Sequence, residues 1–418
     1  MTVDIHEATR ARASGSGSVK ILAFAYACEP DRGSEPGAGW AWARMLAGIG
    51  ETWVITRADY RAAIEAEMER TPERDRLKFV YVELPEKYRR WQRDLRGLRI
   101  YYLLWQLAAL KTARRIARSE SFDLTWHLTW ASAWIGTLSA YAGRPFIYGP
   151  VGGCVGTIPR LLPHFGLRGA VYEILRGASH AAGRYLNPLA RASWRKADLI
   201  LVQNDETRAW LPARHRDKAR IFPNAVVREE ITPARARPGP PTILYAGRLE
   251  GFKGVYFVLR ALKMLPAWRL IVCGSGSDEA RLRRLASRFG VADRIEWFGW
   301  LPREELLRMM RSRAHVLMLP SIHEEAGAVI LEAMAAGLPV VAFDRGGPPL
   351  LGRDGGVFVS ARGAPRAIAR RLAEAAIRCL ESNLTPPPAA VERFSAESRA
   401  RDLAAVVADV TAGAQASA

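Results

Sequence analysis

The sequence is poor in several residue types and motifs, and each shortage narrows what the protein can be. Of its 418 residues only four are cysteine, Cys28, Cys154, Cys273 and Cys379, and no two form a Cys-x-x-Cys pair. That spacing argues against a disulfide framework and against structural zinc, and it fits a reducing cytoplasm. No apolar run approaches the roughly 20 residues a spanning helix needs; the best candidate, Ile100 to Leu110, already contains Gln106. Residues 1–18 are polar and Gly/Ser-rich, lack the apolar centre of a secretion signal, and read as a loose leader. Asp-x-Asp, His-Glu-x-x-His, Gly-x-Ser-x-Gly and Gly-Lys-Ser/Thr do not occur. Diphosphate chemistry clamped by a metal therefore has no motif here; no metal site and no cofactor are expected. Acidic residues are scarce as well, 42 against 61 Lys+Arg, for a net charge of +19. Such a field favours anionic partners: nucleic acid, acidic lipid, or nucleotide and diphosphate ligands. No recognition helix or zinc finger supports nucleic acid, so none is expected as a partner.

What the chain has is alternation. Hydrophobic residues at 49% with 25% charged describe a globular enzyme, and the length suggests two domains of roughly 150–200 residues. Strand-like segments separated by amphipathic helices predict an α/β architecture with parallel sheets. In the first half the strand candidates are 21–25, 52–56, 79–84, 123–128, 145–148, 199–203 and 220–222. A linker rich in Pro, Arg and Glu follows over 223–241. A second series lies at 242–246, 270–273, 295–298, 316–319, 340–343 and 356–359, with helices expected over 278–289 and 303–313. The triplet Pro386-Pro387-Pro388 precedes a last helix near 395–410. The expected division is a leader 1–18, a Rossmann-like domain 19–228, a second Rossmann-like domain 229–385, and a C-terminal helical segment 386–418.

The most informative stretch runs from Ser321 to Asp344. From Val329 to Ala336 it is apolar on every side except at Glu332, which predicts a buried helix. A lone carboxylate there would cost several kcal/mol, so Glu332 needs donors from the protein or from a ligand's hydroxyls. Glu324 precedes the helix, and Gly327 and Ala328 sit where its first backbone N–H groups can meet an anion. At ~1.5 Å rise per residue the two carboxylates lie roughly 10–12 Å apart, about the span from a sugar across a diphosphate to a ribose. One buried structural Glu and one surface Glu would give the same pattern. A second corner, Tyr245 to Gly254, ends a strand at Gly247 and offers Arg248 and Lys253 at a sheet edge where α/β proteins bind ligands. Two cations suit a diphosphate, although a solvated Arg and a helix-starting Lys are the simpler alternative. A third corner, at Gly274, is a bare Gly-x-Gly and weak alone. In the first half, Gly37 and Gly39 precede an expected helix over 41–48 and would let a ligand approach its N-terminus. His127 ends a strand; spacing alone assigns it no role.

Together these corners resemble glycosyltransferase family 4, retaining sugar transferases of the GT-B fold. The resemblance covers nearly everything after residue 18 and is strongest in Glu324-x7-Glu332 followed by Ala-Met-Ala-x-Gly-x-Pro-Val-Val-Ala. Gly247-Arg248 with Lys253-Gly254 is the second element. The stretches Ala27 to Gly37 and Gly149 to Gly153 look like one bacterial subgroup. The resemblance implies two Rossmann-like domains with parallel sheets facing across a cleft and a C-terminal helix returning to the N-terminal domain. It implies transfer from a nucleotide-sugar donor to a glycan or lipid-linked glycan acceptor without a metal, in bacterial polysaccharide or glycolipid synthesis. Glu324 would hold donor-sugar hydroxyls and Glu332 the ribose, while Arg248 and Lys253, with N–H groups near Gly327 and Ala328, would neutralise the leaving diphosphate. His127 matches a position that contacts the sugar, and Gly37 and Gly39 would flank the reaction centre from the other domain. Departures are Glu325-Ala326 where many members have Gly-Phe, and Cys154-Val155 where the subgroup often has Gly-Glu. Another GT-B enzyme, such as an epimerase or phosphorylase, and a non-catalytic nucleotide-sugar binder are the competing readings.

The segment 86–118 carries ten cations against Glu86 and Asp94. Its stripe of Trp91, Leu95, Leu98, Tyr102 and Trp105, with Arg89, Arg93 and Arg96 opposite, predicts either docking on an anionic membrane surface or a core-facing helix with a solvated basic back. The expected location is cytoplasmic, with peripheral attachment to the inner face of the plasma membrane as the extension of that reading.

Overall fold

The computed structural model describes residues 19–89, 95–227 and 238–415. Among the described residues thirteen strands form two sheets. The first contains β1 (Lys20–Ala25), β2 (Glu51–Arg57), β3 (Leu77–Val82), β4 (Leu124–Thr129), β5 (Phe146–Val151), β6 (Leu199–Val202) and β7 (Ala219–Ile221), in the order β3-β2-β1-β4-β5-β6-β7. The second contains β8 (Thr242–Ala246), β9 (Arg269–Cys273), β10 (Ile295–Gly299), β11 (Val316–Leu319), β12 (Val340–Phe343) and β13 (Gly356–Val359), in the order β10-β9-β8-β11-β12-β13. Pairing is parallel within both sheets. Each order reverses once, between β1 and β4 and between β8 and β11, and such reversals open a crevice at the strands' C-terminal ends.

The helices used below are α1 (Ser34–Ile49), α2 (Leu95–Ile116), α3 (Gly166–Tyr185), α4 (Val255–Lys263), α5 (Glu279–Phe289), α6 (Arg303–Ser312), α7 (Ala328–Ala335), α8 (Pro365–Glu381) and α9 (Ala396–Gln415). Every residue of β8, β11 and β12 is buried, as continuous apolar runs in a sheet covered on both faces must be. In α4 only Arg260 and Lys263 keep clear of the core. The chain folds as two compact units, one of residues up to Thr129 with Leu138–Ile147 and Asp402–Ala418, the other of Trp130–Thr137 and Tyr148–Arg401. The end of α9, from Asp402, groups with the first unit. The second unit begins well before residue 228, because residues after β5 and β6 are bound by hydrogen bonds to the loop after β11 (below). Residues 228–237 of the expected linker lie outside the described residues.

One expectation about the first unit is corrected. Helix α1 starts at Ser34, not Ala41, so Gly37 and Gly39 lie in its opening turns. A Cβ at Gly39 would stand 2.1 Å from the Ala27 carbonyl oxygen and 2.9 Å from Thr129 Cγ2. The missing side chain lets the helix press on the ends of β1 and β4. In α2, Tyr102 and Trp105 are buried with their rings 4.8 and 5.1 Å from Tyr26, so at these two residues the stripe takes the core-facing of its two readings. The outward edge of α2 carries Ile100, Leu103 and Leu107 beside the exposed Lys111, Arg114 and Arg115. Trp91 and Arg93 lie outside the described residues, as do the side chains of Arg89, Leu95 and Arg96.

His127 lies inside β4, and its ring is fully enclosed. Tyr102 Oη is 3.0 Å from Nε2 and Ser139 Oγ is 3.1 Å from Nδ1, so both nitrogens are engaged. Burial pushes the imidazole down to about 3, and it is neutral at ordinary pH. The depressed value gives a direction for linkage: the unfolded chain binds this proton first, so stability present above pH ~6.5 drains as pH falls toward 3, by up to about 5 kcal/mol. Urea unfolding across that window should show the loss, and His127→Gln should flatten it. An identical slope in the variant would contradict the assignment.

Candidate active site

The second unit's crevice is built by two loops at the β8–β11 reversal. After β8 the chain runs through Gly247, Arg248 and Lys253 into α4; after β11 it runs from Pro320 to Gly327 and into α7. The Ile322 N–H donates to the Phe252 carbonyl at 2.7 Å, and the His323 ring stacks on Phe252 with centroids 4.1 Å apart. Between them Lys253 Nζ donates to Glu324 Oε2 at 2.6 Å, with side chains only 13% and 16% exposed. The exposed Arg248 guanidinium and the Lys253 ammonium both lie over the Phe252 ring, 5.8 and 5.6 Å from its centroid. Three of the expected residues, Arg248, Lys253 and Glu324, are therefore gathered around one aromatic ring.

Gly327 takes φ +85° and ψ 60° at the N-cap of α7, a left-handed conformation that a side chain would strain. Ala328 is exposed at the first turn, where helix N–H groups have no partner within the helix. Helix α7 is not buried on every side as its composition suggested. Ile330, Leu331, Ala333 and Met334 face the core, while Ala328 and Glu332, one turn apart, share the accessible side. Glu332 accepts from Arg303 Nε at 3.1 Å, a partner that no local pattern had indicated. A Cβ at Gly274 would stand 1.9 Å from the Gly247 carbonyl oxygen, so the turns after β8 and β9 touch backbone to backbone. Gly247 donates its N–H to Cys273 O at 2.9 Å as part of that closure. Both glycines shape the crevice. His127, Gly37 and Gly39 belong to the first unit. Among the described residues no group of three or more His, Cys, Asp or Glu is arranged to hold a metal ion.

Sequence reasoning missed the carboxyl that ties this loop down. Glu325 is the residue that departs from the family pattern. Its Oε1 accepts from the Val155 N–H at 3.1 Å, and its Oε2 accepts from Asn204 Nδ2 and the Thr207 hydroxyl, each at 3.1 Å. Asn204 also donates to the Glu325 carbonyl at 2.9 Å, and its Oδ1 caps the helix Asp205–Trp210 by accepting from Thr207 N–H at 2.9 Å. Burial raises the Glu325 carboxyl above its ordinary value, and the three donors only partly offset it. Beside it, His323 Nε2 donates to Glu173 at 2.7 Å, and Thr157 donates to the same buried carboxylate. Neither cluster had a local signal: the Glu325 partners are 118 to 170 residues away in sequence.

Residues 227–378 match the family model described as glycosyl transferases group 1. The D-inositol 3-phosphate glycosyltransferase of Mycobacterium marinum is 34% identical over 184 residues, 40% of this chain and 39% of that protein. The chain spans less than half the length of that relative. Among solved structures, the apo form of the lipopolysaccharide outer core galactosyltransferase WaaB superposes with a TM-score of 0.61 at 17% identity, over 93% of this chain and 99% of that one. Anabaena HepE in complex with UDP and glucose gives a TM-score of 0.59 at 16% identity, over 94% and 100%. At those identities the likeness is one of fold.

Glu325 generates a prediction. Glu325→Ala removes the acceptor of the Val155 N–H and the Thr207 hydroxyl and one of the two acceptors of the Asn204 amide, and should lower stability by roughly 2–4 kcal/mol. Glu325→Gln keeps an acceptor without a charge. Because the folded carboxyl is raised, its contribution is complete below pH ~4.5 and is lost as pH rises through the raised value. Thermal melts from pH 4 to 8 should therefore show Glu325→Gln gaining on the wild type as pH rises; a constant difference would refute this.

Proposed function

We infer that this chain, which belongs to the group 1 glycosyltransferases and has their GT-B fold, moves a sugar from a nucleoside diphosphate sugar to a glycan or lipid-linked glycan acceptor in bacterial glycan assembly. The observation that carries this reading is the Lys253–Glu324 pair at the β8–β11 reversal, beside Arg248 and inside the family-matched span. The neighbour HepE, solved with UDP and glucose, supports a nucleotide sugar as donor, and WaaB supports a lipopolysaccharide-type glycan as acceptor.

The chemistry follows from where charge develops. As the nucleoside diphosphate leaves, negative charge grows on its phosphates while the sugar becomes oxocarbenium-like. Arg248 neutralises that charge as a planar fork and Lys253 as a point charge, and the amides at Gly327 and Ala328 add the positive end of α7. Donors fixed before the reaction are each worth about 3 kcal/mol, because nothing reorganises when the charge appears. Glu324 holds Lys253 in place and takes the donor-sugar hydroxyls; Glu332, already aligned by Arg303, takes the ribose. The acceptor attacks from the face the diphosphate leaves, and a diphosphate oxygen receives its proton, giving retention without a metal. A sugar contact by His127 requires its bond to Tyr102 or to Ser139 to open.

A lipid-linked acceptor places the enzyme on the cytoplasmic face of the membrane, where the exposed apolar edge and cations of α2 would meet acidic headgroups. No helix among the described residues is long and apolar enough to cross a membrane. A thermal-shift screen of UDP, GDP and ADP sugars, with and without EDTA, should give one EDTA-insensitive stabilisation. Arg248→Ala, Glu324→Ala and Glu332→Ala should each lower turnover by about 10²–10³. Full activity in any variant removes that residue from the mechanism, and EDTA sensitivity removes the metal-free assignment. Release of nucleoside diphosphate without a glycosylated acceptor would favour the other GT-B chemistries.

A further inference from the structure

Helix α3 is amphipathic in the reverse sense. At ~100° per residue, Leu167, Val171, Ile174, Leu175, Ala178, Ala181, Ala182 and Tyr185 fall within roughly 120° of arc. That arc faces solvent: Leu167 is 82% exposed, Ile174 59%, Leu175 60%, and Leu186 at its end 77%. The inward face is polar. Glu173 and His180 are buried, and Glu173 binds His323 and Thr157 while Arg176 donates to the Val155 carbonyl at 2.8 Å. A helix surface that hides its charges and shows leucines over about 28 Å is not what water selects.

The surrounding charge says what covers it. Between Gly156 and Ala197 there are seven Arg or Lys and a single acidic residue, Glu173, which is the one turned inward. Arg160, Arg168, Arg191 and Arg195 are exposed, and Arg168 lies at the edge of the apolar arc, where a long side chain can reach headgroups while the leucines enter acyl chains. A second copy of the chain would bring the same arginines against each other across a twofold axis, with no acid on this segment to answer them. We propose that the outward face of α3 docks on an anionic lipid bilayer, with Leu167, Ile174, Leu175 and Leu186 entering the interface and the flanking arginines binding acidic headgroups. This surface lies in the second unit, distinct from α2, and the inference stands whether or not the sugar-transfer reading does.

The test uses the full chain and vesicles of phosphatidylcholine with and without phosphatidylglycerol. Wild type should co-sediment only with the anionic vesicles, and the double variant Ile174→Glu/Leu175→Glu should weaken that binding by about tenfold or more while leaving donor-induced thermal shifts unchanged. A second readout guards against misfolding. The four native cysteines are buried, so Leu175→Cys can carry an environment-sensitive fluorophore whose emission should rise on anionic vesicles, while the same label on Arg288→Cys stays dark. No vesicle binding, equal binding to neutral vesicles, binding lost only when Ile100 and Leu107 of α2 are changed, or a dimer that Ile174→Glu converts to monomer would each overturn the proposal.

Discussion

A charge pair held mostly out of water, Lys253 with Glu324, joins the two loops that border the β8–β11 reversal. Such a pair persists only while both members are present, since either one alone would face a desolvation penalty of several kcal/mol. Its effect on geometry exceeds its contribution to stability. Lysine is ordinarily a mobile point charge on a flexible stem. Here the ammonium is fixed by the carboxylate and lies over the Phe252 ring that it shares with Arg248. The diphosphate proposed for this site would meet cations already in position, which is the condition under which electrostatic stabilisation is largest.

The same loop is held at the two neighbouring positions. His323 is bound by Glu173 of α3, Glu324 by Lys253 before α4, and Glu325 by Val155, Asn204 and Thr207. Three consecutive side chains reach four separate parts of the chain, so the entry to α7 is set from several directions at once. Gly346 closes the remaining side: a Cβ there would stand 2.2 Å from the Glu324 carbonyl oxygen, and Gly347 donates to that oxygen at 2.9 Å. The helix N-terminus that presents Gly327 and Ala328 is thereby aimed before any ligand arrives.

How far the sequence could be read depended on whether the signal was local. Runs such as Thr242–Ala246, Val316–Leu319 and Val340–Phe343 declare themselves because a strand buried on both faces must be apolar throughout and must end at a breaker. The cations and glutamates of the crevice were legible for a related reason, since strand ends and glycine corners mark where a sheet meets its ligand. The start of α1 was not legible. Gly37 and Gly39 argue against a helix by propensity, and at Gly39 the close approach to Ala27 and Thr129, a tertiary contact, explains why a glycine stands inside one. Glu325 stood out only as a departure from the family pattern, and its role was not legible: its residue type is ordinary for a loop, and everything that makes it structural arrives from more than a hundred residues away.

Helix α3 shows what periodicity leaves open. A 3.6-residue pattern says that a helix has two faces, but not which of them meets the protein, and the usual assumption assigns the apolar one inward. In α3 that assumption fails because the inward face has a polar task. Glu173 must reach His323 to hold the loop after β11, and Arg176 must satisfy the Val155 carbonyl next to the Glu325 cluster. Once those positions are spent on polar contacts, the apolar residues at 167, 171, 174 and 175 are left on the other side by geometry alone. Geometry explains where they point, but it does not require them to be leucine, isoleucine and valine, since serine or lysine would solvate that face more cheaply. The side chains there are chosen for something other than water, and the absence of any exposed acid along Gly156 to Ala197 gives that partner its sign.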